Sequence, residues 1–146
     1  MHKGKFLCFI FLPYEIHNMN KSITCLLIDD DPDDHEIFFM ALKQAFPDAI
    51  CSCVLNCIQA TDQLKNKSIP IPEYIFMDWN LPYLEARECI KCLRDVSELE
   101  KACIFILSGS VPFINVKDLD ELGLKKVLKK QSTITLLSRE LVSVLQ

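Results

Sequence analysis

No basic stripe runs through this chain of 146 residues, where 16 Lys and Arg face 20 Asp and Glu for a net charge of -4. Nucleic acid and anionic membrane surfaces are therefore poor partners. The nearest thing to a basic patch, Lys125-Lys126 with Lys129-Lys130, flanks a strand-like run. No membrane-spanning segment is expected either: the apolar run Phe6 to Leu12 is too short to cross a bilayer. That run follows Lys3 and Lys5 as the start of a signal peptide would, yet Pro13-Tyr14-Glu15 comes next, with no small-residue cleavage site. Internal repeats, low-complexity stretches and a second domain are absent as well. No histidine stands at zinc-finger spacing from Cys51, Cys53 or Cys57, since His2, His17 and His35 are scattered.

What is present is a core. Half of the residues are hydrophobic, which suits one domain. Residues 1–21 do not fit the remainder and read as a non-core extension or a mis-called start, with Met19 able to open everything downstream. An added strand or an oligomer contact is the alternative. Residues 22–146 form the domain, and no effector domain is expected after it. The eight cysteines read as reduced thiols of a cytoplasmic protein. Cys25 and Cys103 lie in strand-like runs as small hydrophobes. Cys89 and Cys92 have CxxC spacing but share a helical pattern with Ile90 and Leu93. A disulfide scaffold is not expected in a chain with this much core.

The organising stretch is Tyr74-Ile75-Phe76-Met77-Asp78-Trp79-Asn80-Leu81-Pro82. A short continuous apolar run closed by a turn signal is the mark of a strand buried on both faces. Asp78 then sits at the carboxyl end, where open α/β sheets collect ligands; alone, it is as readily a cap for the next helix. Ile23 to Ile28 is a second buried strand and runs into Asp29-Asp30-Asp31. Pro32 suits the first turn of the helix that follows, with Asp33 and Glu36 as an alternative capping box. Ile37, Phe38, Ala41, Leu42 and Ala45 fall on one helical face, and Pro47 stops it.

Ile50 to Leu55 reads as a strand, followed by a short helix with Ile58 and Leu64 inward and Ala60 allowing close approach. After Asp78 the next helix is expected from about Glu85 to Val96. Ala102 to Leu107 is a strand ending in Ser108-Gly109-Ser110. Asn115 to Leu122 is a helix closed by Gly123. Lys126-Val127-Leu128 is a short strand, and Ser132 to Leu145 a last helix with Ile134, Leu137, Leu141 and Val144 inward. Strict β–α alternation means one α/β domain, a doubly wound five-stranded parallel sheet with helices on both faces.

The carboxyl ends of these strands carry Asp29 and Asp30, Asp78, Ser108, and Lys129 or Lys130. Carboxylates and a carbonyl suit a hard cation such as Mg²⁺, which binds beside phosphate. Asp78 can then act as a nucleophile toward phosphorus, with metal, lysine and hydroxyl stabilising charge on the equatorial oxygens. Taken alone, Ser108 is a turn residue before Gly109.

Four motifs carry a resemblance: Leu26-Leu27-Ile28-Asp29-Asp30-Asp31-Pro32, Met77-Asp78-Trp79-Asn80-Leu81-Pro82, Ile106-Leu107-Ser108-Gly109, and Lys129-Lys130. Together they make residues 22–146 resemble a response-regulator receiver domain of two-component signalling, of the stand-alone type. The resemblance implies the flavodoxin-like strand order 2-1-3-4-5. It also implies that Asp78 accepts a phosphoryl group from a histidine kinase or phosphotransfer protein. Asp30 would bind Mg²⁺ directly and Asp29 mostly through water, with the Asn80 main-chain carbonyl as a further ligand. Ser108 and the Gly109 amide would hold phosphoryl oxygens, and the lysine would pair with the phosphoryl group. Family spacing from Gly123 selects Lys130. Output would pass to an unidentified downstream protein by direct contact.

Three positions depart from the family pattern: Ala86 replaces a glycine, Gln131 a proline, and Val127 the aromatic switch residue of the fifth strand. These favour the alternative of a docking module that does not use phosphorylation. A haloacid-dehalogenase-like phosphohydrolase is the remaining alternative, but it wants an aspartate where this chain has Asn80.

Overall fold

The computed structural model describes residues 22–109 and 116–145. Residues 1–21, on which the extension falls, and Asn115 lie outside them. Five strands and five helices alternate: β1 Thr24–Ile28, α1 Pro32–Ala45, β2 Ile50–Val54, α2 Cys57–Lys65, β3 Tyr74–Asp78, α3 Ala86–Arg94, β4 Cys103–Ser108, α4 Val116–Leu122, β5 Leu124–Lys129 and α5 Ile134–Val144. A single 3-10 turn, Ser97–Leu99, follows α3. All strand pairings are parallel, in the order β2-β1-β3-β4-β5. The fold is thus the flavodoxin-like arrangement that the alternation and the resemblance led us to expect.

The three central strands β1, β3 and β4 are buried from their second residue onward, because both of their faces are covered. Alternate residues divide between two cores. Leu26, Ile28, Ile75, Met77, Ile104 and Ile106 pack with α2 and α3. Cys25, Leu27, Phe76, Phe105 and Leu107 pack with α1 and α5. The Phe76 and Phe105 rings stack at 5.0 Å, and Phe38 of α1 tilts onto Phe76 at 4.9 Å. Truncating such a ring to Ala typically costs about 3–5 kcal/mol.

Local signals set the helix starts. Pro32 is the first residue of α1, and the Asp31 carboxylate accepts from Asp33 N at 2.9 Å, so the simple cap is used rather than the capping box. Asn56 caps α2 by accepting from Gln59 N, while Gln59 Oε1 accepts in return from Leu55 N. Thr133 caps α5.

Several sequence expectations need correction. Ile58 points outward, 53% exposed, while Cys57, Ala60 and Leu64 are buried, because positions 57, 60 and 64 share one helical face and position 58 does not. α3 ends at Arg94 rather than Val96, since the chain tightens into the 3-10 turn. β5 is longer than expected, because a bulge at Lys125 lets Leu124 pair with Ile104 and Lys126 with Phe105.

The reading of all cysteines as reduced thiols is also overturned. Cys57 and Cys89 are disulfide-bonded with Cα atoms 5.7 Å apart. Both are fully buried. They come together because α2 and α3 cover the same face of the sheet, a proximity invisible to spacing rules at a separation of 32 residues. The other described cysteines, Cys25, Cys51, Cys53, Cys92 and Cys103, are free. Among the described residues no helix is long and apolar enough to cross a membrane.

One cation fastens the amino-terminal ends of the last strands. The Arg94 guanidinium donates to Leu99 O and Ala102 O, both at 3.0 Å, and to Gly123 O at 3.1 Å. Gly123 adopts φ 65, and a Cβ there would lie 3.4 Å from Arg94 Nη2. The left-handed backbone therefore calls for glycine, while the neighbouring guanidinium lies at ordinary contact distance.

Candidate functional site

Parallel strands deliver their next residues to one rim of the sheet. β1 ends into Asp29 and Asp30, β3 ends on Asp78, β4 on Ser108, and the chain leaves β5 through Lys130. Asp29, Asp78 and Ser108 are buried, whereas Asp30 and Asn80 are exposed. One carboxylate oxygen from each of Asp29, Asp30 and Asp78 lies within 4.8 Å of the others. Three hard anionic donors so close fit a small divalent cation such as Mg²⁺ or Mn²⁺.

Lys130 neutralises part of this charge. Its Nζ is 2.7 Å from Asp29 Oδ2, 3.1 Å from Asp78 Oδ2 and 2.7 Å from Asp34 Oδ2. The contacts to Asp34 and Asp78 are well-directed hydrogen bonds, whereas that to Asp29 Oδ2 is an ion pair outside hydrogen-bond geometry. Burial by itself would lower the lysine pKa, but the surrounding carboxylates outweigh it and hold the ammonium above its ordinary range. The Asp29 pKa is raised too, which for a carboxylate disfavours the charged form. Burial pushes its pKa up, against the lowering pull of Lys130 and of the Asp31 amide on Oδ1.

Main-chain contacts fix the rim. Asn80 N donates to Asp78 Oδ1 at 3.1 Å. His35 Nε2 donates to the Asp29 carbonyl oxygen at 2.5 Å, which requires that nitrogen to carry the ring proton. Lys130 N donates to Ser108 O at 2.7 Å, so the β5 end is tied to β4. A side chain at Gly109 would meet open space, so packing does not demand the glycine. Lys129, paired in register with Ser108, is exposed.

The three departures have physical outcomes. Ala86 opens α3 and is buried, with the preceding Glu85 at φ -58. The positive φ of this loop falls on Tyr83, at 68, which is 86% exposed. Alanine at position 86 therefore carries no left-handed strain. No described peptide bond is cis, so Lys130 reaches Asp78 ahead of a trans bond to Gln131. Gln131 Nε2 donates to Glu140 Oε2 of α5 at 3.2 Å. Val127 is half-buried against the core that also holds Leu119 and Leu122 of α4.

Sequence reasoning missed Asp34. It lies in the first turn of α1, two residues after Pro32, and a count of one helical turn from Asp30 would have brought it to the rim. It also missed the contacts beside Asp78. The Arg87 guanidinium lies over the Trp79 ring at 5.6 Å and pairs with Asp118 of α4 at 3.3 Å. A cleft of about 360 Å³ opens there between Trp79, Asn80, Leu81, Glu85, Ala86 and Arg87.

No protein-family model and no curated protein matches the chain by sequence. Solved structures match its fold. The phosphorylated cyanobacterial phytochrome response regulator RcpA aligns with TM-score 0.71 at 18% identity, over 84% of this chain and 91% of its own. The Mn²⁺-bound response regulator Rcp1 aligns with TM-score 0.69 at 21% identity, over 84% and 91%. The receiver domain of Saccharomyces cerevisiae Ssk1, solved with the histidine phosphotransfer protein Ypd1, aligns with TM-score 0.64 at 21% identity, over 82% and 86%. The chain is similar to response-regulator receiver domains and has their fold.

Proposed function

We propose that this protein is a phosphorylation-dependent signalling switch that accepts a phosphoryl group on Asp78. The observation that carries the reading is Lys130 Nζ bridging Asp29 Oδ2 and Asp78 Oδ2 beside a three-carboxylate cluster at the strand ends. A carboxylate oxygen of Asp78 attacks phosphorus, an O–P bond forms, and the bond to the donor's imidazole nitrogen breaks. The imidazole leaves with the electron pair and takes a proton from solvent. Asn80 N holds Asp78 Oδ1 in place. Lys130, together with the Ser108 hydroxyl and the Gly109 amide, stabilises charge on the transferring group. Asp29, Asp30, Asp78 and the Asn80 carbonyl would hold Mg²⁺, which when bound supplies further charge neutralisation to the phosphoryl oxygens.

The phosphodonor is a histidine kinase or a phosphotransfer protein, a reading supported by the Ssk1 receiver being solved with such a partner. The switch is regulatory, with at most its own phosphorylation and dephosphorylation as chemistry. It works in the cytoplasm and signals by contact with a downstream protein. A cytoplasmic setting is compatible with the disulfide because both sulfurs are buried away from small reductants.

The test is intact mass after incubation with acetyl phosphate and Mg²⁺. The unaltered chain should gain one phosphoryl mass and Asp78→Asn none; equal labelling of both ends the reading. The second reading, a docking module independent of phosphorylation, is favoured by Val127, which has no ring to swing. It predicts no labelling and a partner affinity unchanged in Asp78→Asn. Turnover of phosphoesters would point instead to a hydrolase, for which the exposed Asn80 offers no acid.

A further inference from the structure

Lys130 has three N–H donors, and three carboxylates face its nitrogen. Two of these, Asp29 and Asp78, belong to the group whose oxygens lie close enough to share one cation, whereas Asp34 does not. An entering divalent cation and the lysine ammonium therefore compete for the same two side chains. Asp34 stands outside that competition, on the first turn of α1, where the helix amino terminus favours a negative charge. Its contact to Nζ is, at 2.7 Å, shorter than that of Asp78.

We propose that Asp34 is a positioning residue that receives Lys130 when a divalent cation occupies the Asp29–Asp30–Asp78 cluster. It makes cation binding an exchange of partners for the ammonium rather than an expulsion of it. Without this second partner, the lysine has only the cation's own ligands to hold, and binding must displace it into solvent. With it, the ammonium stays within reach of Asp78, ready to meet a phosphoryl group on its Oδ. The small apolar recess lined by Ile37, Phe38, Leu107 and Leu137 beside Asp34 and Lys130 keeps that partnership partly dry. This inference rests on the proposed cation-dependent switch.

The test is a double-mutant cycle read by calorimetric titration of the full chain with MgCl₂. Asp34→Asn should weaken Mg²⁺ binding about tenfold, as expected for coupling energies in the usual range between interacting groups. In a Lys130→Gln background the same change should cost less than about threefold, since only distant attraction between Asp34 and the cation remains. Asp34→Glu, which keeps the carboxylate, should recover most of the affinity, whereas a role confined to packing or folding would not distinguish Asn from Glu by charge. Equal losses in both backgrounds, or no loss in either, overturn the proposal. If Mg²⁺ still binds the unaltered chain and Asp78 is still labelled, only the role of Asp34 falls. If the unaltered chain binds no Mg²⁺ and takes no label, the switch reading falls with it.

Discussion

Removing the Cys57–Cys89 bond should weaken the fold by an amount set by the chain it closes. The two half-cystines are 32 residues apart. In the chain-entropy treatment a loop of that size restricts the unfolded ensemble by roughly 3.5–4 kcal/mol at 25 °C. For a domain of this length, each kcal/mol moves the melting midpoint by about 3–5 °C, so the difference between oxidised and reduced protein should be about 10–20 °C. Because both sulfurs are buried between α2 and α3, reduction of the native protein should be slow and should require prior unfolding. The assay has two parts. A thiol count in denaturant without reductant should give two fewer than the eight cysteines of the sequence. Urea unfolding with and without reductant, each fully equilibrated, should then separate the midpoints, with the reduced form unfolding first. Eight reactive thiols together with coincident unfolding curves would refute both the bond and the loop argument.

Other expectations concern the rim and the edge strand. Melting should rise with Mg²⁺, by about 2.7 kcal/mol of stability at a hundredfold excess over its Kd, and fall back with chelator. Asp30→Ala should abolish that response, and a shift that survives the substitution would put the metal elsewhere. Cys53 should be the first described thiol to be alkylated as pH passes neutrality. A hydrogen bond shared with Cys51, with Sγ atoms 3.8 Å apart, outweighs burial, and with His35 nearby lowers its pKa. Cys25, pushed up to about 12 mainly by burial, should stay unmodified at pH 8. Peptide mapping after brief iodoacetamide treatment checks both, and labelling of Cys25 ahead of Cys53 would contradict the assignment.

What the sequence discloses here is periodicity and punctuation. Apolar runs such as Leu26-Leu27-Ile28 announce strands covered on both faces, and the polar residue ending each run has to lie on the same rim of a parallel sheet. Asp29, Asp78, Ser108 and Lys130 are legible for that reason. Relations between helices are not written in the same way. Cys57 meets Cys89, and Asp34 meets Lys130 across 96 residues, only because of how α2, α3 and α1 are set upon the sheet. Short helices are also easily misjudged: Ile58 and Leu64 are both large and apolar, yet six residues apart they lie on different faces, and it is Cys57 that shares the inner face with Leu64. Nor does Ala86 by itself disclose that the left-handed residue of its loop is Tyr83, three positions earlier.

Arg94 has a mechanical consequence. Its guanidinium gathers carbonyl oxygens from the segment after α3, the entry to β4 and the turn into β5, all at the rim opposite Asp78. With those entries pinned, the strands cannot slide against one another along their length. The side chain thus holds at the strand entries the same register that the ladder between β4 and β5 holds along their length.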